Sequence, residues 1–204
     1  FTHVDGSLIN EGTITGAAVR LIGDHVANRG QIVAPDGMVA MAAGQTVYLS
    51  DLAADGGLMV EVDGGDPDAP DPGRHAVENT GDIDADGGTV SFAASDVYTL
   101  AAKQSGQVDT DRVHVDAPGG QAALAGRTRA HDVTVRAKDI DHTGAIDAAN
   151  AEGTGGSVTL DAADGYLATS AAAIDVSGAD GGVVNIRAGG RLLTSGSIHA
   201  DAHT

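Results

Sequence analysis

The 204-residue chain contains no cysteine and no tryptophan. Without cysteine it has no disulfide staples, zinc–thiolate sites, thiol nucleophiles or dithiol redox chemistry. Aromatic side chains are scarce, at three Tyr and two Phe, where a globule of this size normally builds its core around rings. Positive charge is also scarce: 11 Lys and Arg stand against 29 Asp and Glu, a net charge of −18 that repels nucleic-acid phosphates and anionic lipid. No stretch approaches the roughly 18 consecutive apolar residues of a membrane helix, so no membrane insertion is expected. Gly-x-Ser-x-Gly, the phosphate loop ending in Gly-Lys-Ser/Thr and His-Glu-x-x-His do not occur. The chain opens at Phe1 with neither a methionine nor a signal-like segment, which reads as a fragment or a mature piece.

What the sequence has in abundance is glycine, 30 residues of it, and self-similarity. One phrase runs Gly or Asp, Gly, any residue, Val, any residue, large apolar. It occurs at Asp36-Gly37-Met38-Val39-Ala40-Met41, Gly87-Gly88-Thr89-Val90-Ser91-Phe92, Gly155-Gly156-Ser157-Val158-Thr159-Leu160 and Gly181-Gly182-Val183-Val184-Asn185-Ile186. Gly119-Gly120-Gln121-Ala122-Ala123-Leu124 reads as a weaker copy. Each copy is a tight turn followed by period-2 alternation, the pattern of a short strand with one buried face.

A second phrase, Gly-x-Ile/Val, begins at Gly12, Gly30, Gly81, Gly106, Gly144 and Gly196. Asn10, Asn28 and Asn79 stand two residues before three of these glycines, marking a sharp corner at which positive φ is expected. Repeated Asn at one corner can stack as an amide ladder. The phrases interleave in units of about two dozen residues; in the clearest tandem Val158 matches Val184, Leu160 matches Ile186, Leu167 matches Leu192 and Ile174 matches Ile198. Strands of ~4–6 residues bury too little to survive as isolated hairpins. Stacked at ~4.8 Å, they satisfy one another's backbone groups and enclose a narrow column of small aliphatics, which explains the missing rings. The expected fold is an all-β parallel β-helix, a solenoid of about eight coils and roughly 40 Å, forming one domain over residues 1–204. A sandwich is the rival architecture. The segment Asp63–His75 holds Pro67, Pro70 and Pro72 and reads as an acidic loop inserted between coils.

The Asn-x-Gly-x-Ile phrases, the run from Gly30 to Gly44, and the stretches Val47–Asp51 and Leu58–Val62 resemble the filamentous haemagglutinin family of two-partner secretion exoproteins. The resemblance is most specific over residues 6–62. It implies a right-handed parallel β-helix, export through an outer-membrane two-partner secretion transporter, and a secreted or cell-surface location in a Gram-negative bacterium. It also implies adhesion to a receptor or glycan on host or neighbouring cells, aggregation, or contact-dependent toxin delivery. The family's Asn-Pro-Asn-Gly run is absent, so the chain reads as starting late in the secretion domain or just after it.

Several residues carry possible chemistry. Asp82-Ile83-Asp84-Ala85-Asp86-Gly87 has the form of a calcium loop, but the position of the bidentate Glu is Ala93, and the same residues fit a repeat with Ile83 inward and the acids outward. Asp63, Asp66, Asp68 and Asp71 on the loop offer oxygen ligands to a hard cation. The histidines, His3, His25, His75, His114, His131, His142, His199 and His203, lack zinc spacing and read as isolated surface residues. A β-helix polysaccharide lyase or hydrolase would draw on Asp161, Asp175 and Arg187 from neighbouring coils, without the aromatic platforms sugars favour. The reading adopted is a non-catalytic structural or adhesive shaft with no catalytic, metal or cofactor residue, in which the Asp63–His75 loop is the expected contact site. A polysaccharide-cleaving enzyme and a calcium-stabilised surface rod remain the alternatives.

Overall fold

The computed structural model describes residues 1–2, 6–52, 57–63, 75–95 and 99–202. Among these residues there are strands and turns and no helix. The main feature is an 18-stranded sheet whose pairings are parallel. Every strand in it pairs with the strand holding the same place one repeat away, so the sheet resolves into three ladders.

The first ladder runs through Ser7–Asn10, His25–Asn28, Val77–Asn79, Leu100–Gln104, residues 121–124, 139–142 and 165–168, and Leu192–Thr194. The second runs through Thr13–Thr15, Gln31–Val33, residues 82–85 and 107–110, Arg127–Arg129, Ala145–Asp147, Ala173–Asp175 and Ser197–His199. The third runs through Ala18–Gly23, Met38–Ala43, residues 89–94, 112–117, 132–137 and 157–162, and Val183–Ala188. The Gly-x-Ile/Val phrase begins the second ladder, and the Gly-Gly-x-Val phrase begins the third.

Alternation decides which side chains go inside. Val39, Val90, Val113, Val133 and Val158 form one buried column of the third ladder, and Met41, Phe92, Val115, Val135 and Leu160 form the next. Ile32, Ile83, Val108, Ile146 and Ile174 line the second ladder. Together these make one continuous apolar cluster. Two rings do enter it, contrary to the expectation that rings fit poorly: Phe92 and Tyr166 are each 2% exposed. Phe92 shares its repeat with the small inner residues Ala85 and Ala94, which leave the volume it fills.

The tandem alignment is correct at Val158–Val184, Leu160–Ile186 and Ile174–Ile198 and wrong by one residue in the first ladder. There Tyr166 pairs with Leu192 and Leu167 with Leu193. A one-residue slip exchanges faces; Tyr166 points inward, and Leu167 is the exposed residue.

The corner glycines also have a different cause from the one expected. Positive φ occurs at Gly6, Asp36 and Gly87 among the described residues, and not at the Asn-x-Gly corners. At those corners the constraint is proximity. A Cβ on Gly30 would lie 2.1 Å from the carbonyl oxygen of Gly12, and one on Gly81 2.0 Å from that of Gly30.

One excursion breaks the parallel pattern. Thr46–Leu52 and Gly57–Asp63 form an antiparallel hairpin, with Thr46 opposite Asp63 and Leu52 opposite Gly57. The excursion therefore begins before the Asp63–His75 loop, of which residues 64–74 lie outside the described residues. Val47, Leu49 and Val62 of the hairpin pack on the outer side of the third ladder, against Ile22, Met38, Ala40, Ala42 and Ala93. Outward alanines let a hairpin lie close there; beyond residue 94 the same columns turn polar.

Candidate functional site

The inner side of the sheet is occupied by packing, so chemistry is confined to the corners and outer faces. The Asn corner is built from its own repeats. Asn10 Nδ2 donates to Asn28 Oδ1 at 2.8 Å, and Asn28 Nδ2 donates to Asn79 Oδ1 at 2.9 Å. Asn28 and Asn79 are fully buried. The anticipated amide ladder is present over these three residues. It stops at Gln104, which pairs in register with Asn79. The longer Gln side chain swings across to donate to the Arg127 carbonyl at 2.9 Å and to Thr128 Oγ1 at 3.1 Å.

Farther along the same column His142 is 1% exposed, so it is a core residue and not a surface one. Its Nδ1 lies 3.1 Å from the Tyr166 hydroxyl. Burial pushes the Tyr166 hydroxyl up to about 12. Burial also holds His142 below the ordinary imidazole value, with an opposing hydrogen bond at Gly144. His75 is lowered as well, first by burial and then by the Lys103 charge, against an opposing pull from Glu78. His114 is lowered by burial, which Asp116 opposes and Arg136 reinforces. His25 is half-buried, His131 and His199 are exposed, and His3 and His203 lie outside the described residues.

These shifts fix a pH dependence. Above ~6.5 these histidines are neutral in both folded and unfolded chains, and their contribution to stability is complete. As pH falls below that value the unfolded chain takes up protons first, so stability is lost between there and the lower folded values. The melting temperature should be lower at pH 5 than at pH 7.5, and His142→Gln should flatten that dependence. Thermal scans of both proteins across this window check it; equal slopes would remove burial of His142 as a cause.

The outer face of the first ladder carries ties between repeats. Lys103 Nζ sits 2.8 Å from Glu78 Oε1. Burial alone would raise Glu78, but this hydrogen bond and the nearby positive charge hold it below the ordinary carboxylate range. Gln121 Nε2 donates to Asp141 Oδ2 at 2.6 Å.

The outer face of the second ladder is strongly acidic, with Asp82, Asp84, Asp109, Asp147 and Asp175 around Arg127 and Arg129. Both arginines are held within the chain: Arg129 reaches Asp109 at 2.7 Å, and Arg127 reaches Asp147 at 3.0 Å. An open groove of about 320 Å³ lies beside them, lined by Asp86, Asp111, His131 and Asn150 among others. Its rim includes the start of Asn150–Thr154, which pairs with Gly178–Asp180 in a small separate parallel ladder.

The calcium-like loop does not gather its acids. Ile83 points inward at 2% exposure, while Asp82, Asp84 and Asp86 are exposed along the strand. Among the described residues no three His, Asp or Glu side chains come together in a way that could hold a metal ion. Asp63 ends the hairpin opposite Thr46, and Asp66, Asp68 and Asp71 lie outside the described residues. Asp161 and Arg187 stand in register on adjacent strands of the third ladder. Asp175 belongs to the second ladder, in register with Asp147, and caps the backbone N–H of Ser177 at 2.9 Å. The carboxylate pair beside a guanidinium therefore falls on two ladders.

No protein-family model matches the chain, and no curated protein matches its sequence.

Proposed function

We propose that the three ladders close into a right-handed parallel β-helix and that this chain is the non-catalytic shaft of a filamentous haemagglutinin-like surface exoprotein. The observation that carries the reading is the parallel, in-register stacking of the ladders, interrupted within a strand by a bulge between Leu100 and Ala102. The same inner positions are filled mostly by Val, Ile and Leu in repeat after repeat, with Met41, Phe92 and Thr128 among the exceptions, and each repeat is completed by its neighbour. An outer-membrane two-partner secretion transporter would export such a chain, and its coil-by-coil construction suits emergence from one end. The working parts are then the outer faces and the segment 63–75, offered to a receptor or glycan on host or neighbouring cells.

The test is binding of fluorescently labelled protein to host and bacterial cells, run beside incubation with a panel of acidic polysaccharides. Saturable binding, reduced by deleting residues 64–74, with no new reducing or unsaturated ends, supports the shaft and its contact loop. Absence of saturable binding removes the adhesive role. Release of unsaturated ends converts the protein into a polysaccharide-cleaving enzyme.

A further inference from the structure

The outer face of the third ladder between residues 112 and 187 differs from the rest of the surface. In a chain of net charge −18 it is balanced: Arg112, Arg136 and Arg187 stand against Asp116, Asp132 and Asp161. Its outermost column alternates in sign from one strand to the next, as Asp116, Arg136, Asp161, Arg187. Arg136 and Arg187 are exposed, and neither forms an ion pair among the described residues. The middle column is His114, Thr134, Thr159 and Asn185, so the surface is short-chained and flat. Nearer the start of the chain the same ladder already receives a partner, since the hairpin covers Ala40, Ala42 and Ala93.

A column reading minus, plus, minus, plus becomes plus, minus, plus, minus when reversed. We propose that two copies of this chain pair through this face, about a two-fold axis parallel to the strands and lying between residues 132–137 and 157–162.

Such an axis keeps each position along the strand and reverses the order of the strands, as an isologous contact requires. Asp116 then meets Arg187 of the second copy and Arg136 meets its Asp161, each contact occurring twice. In the other columns Thr134 meets Thr159, His114 meets Asn185, Asp132 meets Ser157, and Arg112 meets Val183. No like charges face each other. Sheets packed face to face lie about 10 Å apart, a gap that Arg and Asp side chains can bridge. The second ladder offers no such face, because five aspartates there surround two arginines already held by Asp109 and Asp147. Exposed ion pairs are individually weak, so association should be modest and depend strongly on salt.

Sedimentation equilibrium of the 20.2 kDa chain tests this. At low salt and rising concentration the mass should climb towards twice that of the monomer, and it should return to the monomer near 1 M salt, where the screening length is ~3 Å. Arg136→Asp places like charges opposite Asp161 of the other copy and should weaken pairing on the order of tenfold or more. The double variant Arg136→Asp with Asp161→Arg changes the column to minus, minus, plus, plus, which is again its own complement, and should restore it. Restoration separates recognition from damage to the fold, which circular dichroism of each variant checks. A wild-type chain monomeric at every concentration, a dimer indifferent to Arg136→Asp, or a double variant no better than the single one would overturn the proposal.

Discussion

Gly81→Ala should destabilise the protein by about 3 kcal/mol, whereas Gly12→Ala at the equivalent corner should cost nothing. Both glycines precede an inward Ile of the second ladder, and neither has positive φ, so backbone freedom does not distinguish them. Their surroundings do. A Cβ on Gly81 would sit 2.0 Å from the Gly30 carbonyl oxygen and 2.8 Å from the Arg29 carbonyl carbon, both backbone atoms. Those atoms cannot withdraw without breaking the corner, where Gly81 N–H donates to the Asn28 carbonyl at 3.1 Å and Asp82 N–H to the Gly30 carbonyl at 3.0 Å. A Cβ on Gly12 meets nothing within 4 Å. Removing glycine's excess freedom from the unfolded chain should even stabilise that variant by ~0.4–1 kcal/mol. Urea denaturation of the pair measures the difference, and equal midpoints would show that stacking does not hold these corners.

That contrast also shows how far the sequence could be read. The Gly-x-Ile/Val phrase located most second-ladder strands because an inward aliphatic two residues after a glycine recurs in most repeats. It missed Arg127–Arg129, where the inward residue is Thr128, to which Gln104 donates, and Ala173–Asp175, where Ala172 replaces the glycine before the inward Ile174. The Gly-Gly-x-Val phrase found third-ladder strands only where Gly-Gly or Asp-Gly precedes them. Residues 112–117 and 132–137 lie in the same register after Asp111 and His131, residues that carry no turn mark. The copy at Gly119–Leu124 belongs to the first ladder, since its Ala122 and Leu124 stack on Ala102 and Gln104. The hairpin was not legible. Thr46–Leu52 and Gly57–Asp63 alternate as well as any ladder strand, and only the outward apolar residues beneath them, Ala40, Ala42 and Ala93 with Ile22 and Met38, mark the place they cover. Nor could pattern separate His142 from the surface histidines. Its burial follows from its place in the Asn column, visible once residues 139–142 are set in register on 121–124.

Asn28→Asp should be the most damaging single change in the first ladder, and its cost should depend on pH in the opposite sense to that of the histidines. Asn28 is fully buried and uses both ends of its amide, accepting from Asn10 Nδ2 and donating to Asn79 Oδ1. A carboxylate of the same shape still accepts, but it has no proton for Asn79. Two oxygens then face each other, and the charge has no compensating cation, a situation that costs ~3–5 kcal/mol at neutral pH. Burial must raise the folded pKa of the new acid far above its unfolded value of ~3.9. An acid raised in this way destabilises the fold above its folded pKa and ceases to do so as pH falls towards its unfolded one. Once protonated, its hydroxyl can donate to Asn79 and rebuild the ladder. The deficit relative to wild type should therefore be large at pH 7 and shrink at pH 4.5, while wild type itself loses stability over that interval as its histidines protonate. Asn28→Ala provides the reference: it loses the same bonds at an expected ~2–3 kcal/mol, with no dependence on pH beyond that of the wild type. Denaturation midpoints of the three proteins at both pH values decide the matter. An Asn28→Asp deficit unchanged by pH would mean that the amide column is open to water and that its bonds do not hold the repeats in register.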